Sequence, residues 1–127
     1  MLRQEIEAAM AELRRDASGS LTARFVFPAV FTGFAGHFPG NPVLPGVCLV
    51  QCALAMLRKT TGAGVRLQRI ENAKFFATVA PGDILEFVCR EQRSESAPAL
   101  VRATVSSTGR KIAELRLCVA YGGGGRA

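Results

Sequence analysis

The chain has 127 residues, 49% of them apolar and 20% charged, the size and make-up of one compact domain. A domain of this length removes roughly two-thirds of its unfolded surface from water, so its folding requires neither a disulfide framework nor a structural metal. Sixteen basic residues against ten acidic ones leave a formal charge of +6, which fits a nucleic acid, a membrane surface or an acidic protein partner.

The basic residues are scattered, with no more than two adjacent (Arg14-Arg15, Arg58-Lys59, Arg110-Lys111). No aromatic-interleaved basic stripe or nucleic-acid motif accompanies them, so no nucleic acid partner is expected. No apolar run approaches the ~20 residues that cross a bilayer, and the first sixteen residues mix charge throughout instead of showing a secretory pattern. Membrane insertion is therefore not expected, and a cytoplasmic location is. The four cysteines, Cys48, Cys52, Cys89 and Cys118, include no CxxC pair and read as reduced, mostly core thiols.

Leu2, Ile6, Ala9, Met10 and Leu13 fall three and four apart, which predicts an amphipathic helix over residues 2–13. Ser20 to Phe27 alternates, with Leu21, Ala23, Phe25 and Phe27 on one face, the period of a half-buried strand. Residues 33–46, GFAGHFPGNPVLPG, hold four glycines and three prolines, so no regular element runs through them. Val47 to Lys59 is nearly all apolar, with Gln51 the polar side chain in its middle, as in a helix buried on most sides. The remainder reads as strands: 65–79, 84–93, 99–106 and 111–121, with turns at Pro81-Gly82-Asp83 and Thr108-Gly109. One buried helix and about five strands make an α+β domain over residues 1–121, followed by a Gly-rich tail, 122–127, expected to be disordered.

The single histidine, His37, stands in the Gly/Pro-dense loop directly before the buried helix. Such a residue is either a loop histidine without a role or a general base held by a stiff backbone, since imidazole titrates near neutrality. Gly46 opens the helix, where first-turn N–H groups lack intrahelical partners and can hold a carbonyl oxygen gaining charge. The Pro45-Gly46 pair also suits plain punctuation before a helix, and spacing leaves both open. Cys48 and Cys52 are one turn apart, but one histidine and no nearby carboxylate do not complete a tetrahedral site, so no metal is expected. Neither GxxxxGK[ST] nor GxGxxG occurs, so no nucleotide cofactor is implied.

His37-Phe38-Pro39-Gly40-Asn41-Pro42-Val43-Leu44-Pro45-Gly46-Val47, preceded by Phe34-Ala35-Gly36, closely resembles the GHFPGxPxxPGV signature of the (3R)-hydroxyacyl-acyl carrier protein dehydratases of the FabZ/FabA family. Asn72-Ala-Lys74-Phe75 through Val79-Ala-Pro81-Gly82-Asp83 resembles that family's KF…V.PGD stretch, and the element order agrees over nearly the whole chain. The resemblance implies the hot-dog fold, an antiparallel sheet wrapped around a long central helix, with two protomers pairing into a continuous sheet. It implies dehydration of a 3-hydroxyacyl thioester to a trans-2-enoyl thioester without a cofactor. His37 is then the base, the Gly46 and Val47 N–H groups receive the thioester carbonyl, and the Val43 carbonyl orients the imidazole.

The family's carboxylate position, on the helix, is Gln51 here, a residue that orients a hydroxyl or water but cannot deliver a proton as an acid. This leaves three readings: dehydratase, non-catalytic acyl-thioester binding subunit, and a thioesterase using Cys48. Glu71 and Asp83 are weighed as replacement acids. Phe31, Phe34, Phe38, Leu44 and Phe75 are candidate acyl-tunnel residues. The basic balance suits an acidic acyl carrier protein, or the anionic coenzyme A, with Arg66, Arg69 and Lys74 as candidate contacts.

Overall fold

A computed structural model of the chain describes residues 2–34, 40–94 and 97–122. It begins with helix α1 (Leu2–Ala9) and strand β1 (Met10–Arg15), followed by β2 (Leu21–Val26) and a single 3-10 turn (Thr32–Phe34). The long helix α2 (Gly46–Thr61) comes next, and then β3 (Val65–Phe75), β4 (Ile84–Ser94), β5 (Ala97–Ser107) and β6 (Arg110–Tyr121). All six strands join one antiparallel sheet in the order β1-β2-β4-β5-β6-β3. The chain leaves β2 through α2, reaches the far edge as β3, and returns to pair β4 with β2. That crossover lays α2 across one face of the sheet, the hot-dog arrangement that the family resemblance implies.

The period-2 pattern decides which face meets the helix. Leu21, Ala23 and Phe25 of β2, Leu85, Phe87 and Cys89 of β4, Val101, Ala103 and Val105 of β5, and Leu115, Leu117 and Val119 of β6 are all buried, while their alternates are mostly exposed. Against them α2 buries Cys48–Val50 and Cys52–Leu57. A helix apolar on most of its circumference requires cover on most sides, and Ile6 of α1 completes it from beyond the sheet. Gly62 ends α2 at φ +68°, donating its N–H to the Arg58 carbonyl at 2.9 Å, the left-handed cap that glycine adopts without strain.

Two expected boundaries are corrected. The helix expected over 2–13 stops at Ala9, and Met10–Arg15 becomes strand. The outer edge of β2 offers unpaired N–H and C=O groups, and pairing them outweighs one further helical turn. Glu12, at φ +58°, marks the irregularity in that pairing. The strand expected over 65–79 ends at Phe75, where the chain leaves the β6 edge. Gly122, expected in the tail, donates its N–H to Gly64 at 2.9 Å and closes the β3–β6 end; residues 123–127 lie outside the described residues.

Candidate active site

Four segments converge on the N-terminus of α2. The 3-10 turn is pinned to α1, because the Glu5 carboxylate accepts from the Thr32 hydroxyl at 2.6 Å and its N–H at 2.9 Å. Those two Thr32 bonds hold the Glu5 carboxyl below its ordinary range. Gly33 permits the close fit that follows: a Cβ there would run into the Phe31 ring and stand 3.0 Å from the Cys48 sulfur. The turn thus rests against the first turn of α2, and the loop carrying His37 leaves from it. His37 and Phe38 themselves lie outside the described residues.

The segment entering α2 is bonded to the chain beyond β3, through the Leu44 N–H and the Val79 carbonyl at 2.8 Å. Leu44 is buried and Val43 half-buried. Pro45 is the N-cap, extended at φ −65° and ψ 146°, with no side-chain cap bond. No acidic residue occupies the first turn, so the positive end of the helix dipole has no counter-charge on the helix itself. The Phe75 ring lies directly over Gly46: a Cβ at residue 46 would stand 2.7–3.2 Å from three of its ring atoms. Glycine at this position is what lets the aromatic ring come this close.

Gln51 is the one residue of Cys48–Leu57 that is not buried. It stands one helical turn beyond the exposed Val47, and residues four apart share a helix face. Val47 and Gln51 therefore mark the least covered face of α2, while the Phe75 ring of β3 lies over Gly46 beside it. Two expected aromatics lie deeper. Phe31 and Phe34 are core residues, with ring centroids 4.4 Å between Phe27 and Phe31 and 5.8 Å between Phe31 and Phe34. Together with the Phe25–Phe27 and Phe25–Phe87 contacts they form an aromatic run that backs the site. Phe75, by contrast, is 51% exposed.

Both candidate replacement acids are engaged elsewhere. Glu71 faces outward and bonds Arg69 at 2.7 Å and Arg116 at 3.3 Å, and the Arg69 bond first of all keeps its carboxyl ionised below the ordinary range. Asp83 closes its own turn by accepting the Ala80 N–H at 2.9 Å. The thiol of Cys48 is pushed up by burial, opposite to what a nucleophile at a helix start requires.

Arg66, Arg69 and Lys74 do not converge on one mouth. They spread along β3, whose residues advance about 3.3 Å each, so Arg66 and Lys74 are near opposite ends of the strand. Arg69 is committed to Glu71. Proximity in sequence does not gather them, because an extended strand separates what a helix would bring together. The Glu5–Thr32 clamp and the Phe75–Gly46 stacking were not legible in the sequence, since both join residues far apart in the chain. The signal available for the second was the glycine itself, at a helix start where most residues would serve.

A family model of ApeI-like proteins, described as ApeI dehydratase, matches residues 13–114. The 3-hydroxyacyl-[acyl-carrier-protein] dehydratase FabZ of Levilactobacillus brevis is 38% identical over 87 residues, 63% of this chain and 58% of that protein. The FabZ of Enterococcus faecalis is 31% identical over 96 residues, 70% of this chain and 68% of that protein. The chain thus spans about three-fifths to two-thirds of the length of these relatives. Among solved structures, the dehydratase heterocomplex ApeI:P from Xenorhabdus doucetiae matches with a TM-score of 0.74 at 18% identity, over 87% of this chain and 96% of that one. A putative thioesterase from Ralstonia eutropha matches with a TM-score of 0.61 at 19% identity, over 87% of this chain and 81% of that one. At these identities the two structures establish the hot-dog fold.

Proposed function

We propose the reaction from the family: this chain belongs to the ApeI-like dehydratases, and it interconverts 3-hydroxyacyl and trans-2-enoyl thioesters. The observation that carries the reading is the opening of α2. There Gly46 begins a helix without a side-chain cap, and Gln51, half-buried, stands one turn beyond the exposed Val47. The Gly46 and Val47 N–H groups hold the thioester carbonyl as the adjacent C2–H bond breaks, where fixed donors stabilise the developing charge. His37 takes the C2 proton. With no acid at residue 51, the imidazolium returns that proton to the 3-hydroxyl as the C3–O bond breaks, and water leaves. Gln51 orients the hydroxyl through its amide, and the Val43 carbonyl orients the imidazole. Phe31, Phe34, Phe38, Leu44 and Phe75 line or back the acyl chain.

The substrate is carried as a thioester of acyl carrier protein, with coenzyme A thioesters as the smaller substitute. The working unit is a homodimer formed through β3. This strand is an edge of the sheet, and around it Ile70, Phe75 and Phe76 are 46%, 51% and 53% exposed. We place the protein in the cytoplasm; no helix among the described residues is long and apolar enough to cross a membrane.

A second reading, a non-catalytic subunit that binds the acyl thioester, draws on Gln51 itself and on the other carboxylates being engaged elsewhere. One experiment separates the two. Wild type, Gln51→Glu and His37→Ala are assayed by mass spectrometry with both thioesters on carrier protein and on coenzyme A. The dehydratase reading expects wild-type turnover that His37→Ala abolishes, and a gain in Gln51→Glu of up to the 10²–10⁴-fold that general acid help supplies. Turnover in Gln51→Glu alone would establish the binding subunit instead.

A further inference from the structure

A row of arginines crosses the face of the sheet that points away from α2. Arg90 of β4 stands opposite Arg102 of β5, Arg102 stands opposite Arg116 of β6, and Asn72 of β3 continues the row. All three arginines are exposed. Neighbouring strands are about 4.8 Å apart, and like charges directly opposite each other destabilise a sheet. The compensation is sparse. Arg116 bonds Glu71 at 3.3 Å, but Glu71 is shared with Arg69, and among the described residues no ion pair takes in Arg90 or Arg102.

The row is separate from the site at the start of α2. Its neighbours along the strands, Cys89, Val101, Ala103, Leu115 and Leu117, point to the core on the opposite face. On the outer face it is flanked by Val88 and Thr104, and a shallow depression lies among Asn72, Arg102, Thr104, Glu114 and Arg116. Glu71 and Glu114 beside the row would repel a uniformly anionic surface, whether nucleic acid or lipid. A folded acidic protein can place its carboxylates on the arginines alone. Carboxylates at every fourth residue of a helix are about 6 Å apart, close to the spacing across the strands.

We propose that this outer face docks an acidic protein, one whose helix lays a row of carboxylates along Arg90, Arg102 and Arg116. The surface serves assembly with that partner and is independent of the proposed chemistry.

The test uses the full chain and two synthetic helical peptides of one composition, with glutamates at every fourth position in one and scattered around the helix in the other. The aligned peptide is expected to bind more tightly, with affinity falling as salt rises. Arg90→Gln and Arg102→Gln should each weaken it up to about fivefold, the ceiling for an exposed ion pair. Arg102→Gln should also raise the thermal midpoint, because it removes repulsion on both sides, so weakened binding cannot be laid to unfolding. Turnover of a coenzyme A thioester should be unchanged in both variants. The proposal is overturned by equal binding of the two peptides, by tighter retention of single-stranded DNA or phosphatidylglycerol vesicles, by binding that Arg102→Gln leaves intact, or by lost turnover in that variant.

Discussion

Replacing Gly46 by alanine tests the geometry of the α2 opening more sharply than removing any charged group. The added methyl would stand 2.7 Å from one Phe75 ring atom and 2.9 Å from another, so the ring must move. Phe75 is already 51% exposed, and giving up its covered half costs about 1 kcal/mol. Alanine returns up to about 1 kcal/mol through its better helix propensity. The two nearly cancel, and the thermal midpoint should shift by no more than about 4 °C. Activity should not cancel, because the methyl and the displaced ring crowd the N–H groups proposed to receive the carbonyl. A fall in kcat/KM of at least tenfold, about 1.4 kcal/mol in the barrier, is expected. Phe75→Ala in the same chain vacates the space and should recover most of that loss, giving a strongly non-additive cycle. The assay is enoyl thioester formation beside a thermal melt of all four proteins. A drop in midpoint beyond about 8 °C, or purely additive effects on kcat/KM, would refute the argument that the ring over Gly46 mediates the change.

Three further outcomes follow from the packing. Burial raises the thiols of Cys48 and Cys52 and pushes Cys89 up to about 12, so a disulfide reagent at pH 8 should modify these three only on unfolding. Unfolded thiols ionise near pH 9 while the folded ones stay protonated. Stability should therefore decline as pH rises from about 9 to 12, and Cys89→Ala should flatten that decline in a pH series of denaturant melts. Glu5→Gln should speed hydrogen exchange at the Thr32 amide. Because the folded Glu5 value lies below 4.5, its clamp is intact above the ordinary carboxylate range and is lost as pH falls through the folded value. Gly82 has φ +86° and donates its N–H to the Phe27 carbonyl at 2.9 Å, so Gly82→Ala should lower stability by about 1 kcal/mol in chemical denaturation through backbone strain.

Alternation in residues 20–27, 84–93, 99–106 and 111–121, and the nearly all-apolar run 47–59, determined the elements and which side chains enter the core. Such periods are local, and burial of one face follows directly from them. The same is true of the Pro45-Gly46 helix opening and of Gln51 as the polar break in a buried helix. Met10–Arg15 was different: its spacing served a helix equally well, and only the unpaired edge of β2 turned it into strand. Likewise, no local pattern could place the Phe75 ring on Gly46, bond Leu44 to Val79, or show that Glu71 faces away from the helix and is held by Arg69 and Arg116. The arginine row is the clearest case. Arg90, Arg102 and Arg116 look scattered along the chain, and the register of three strands brings them side by side, because hydrogen-bonded strands set neighbours by pairing and not by distance in sequence.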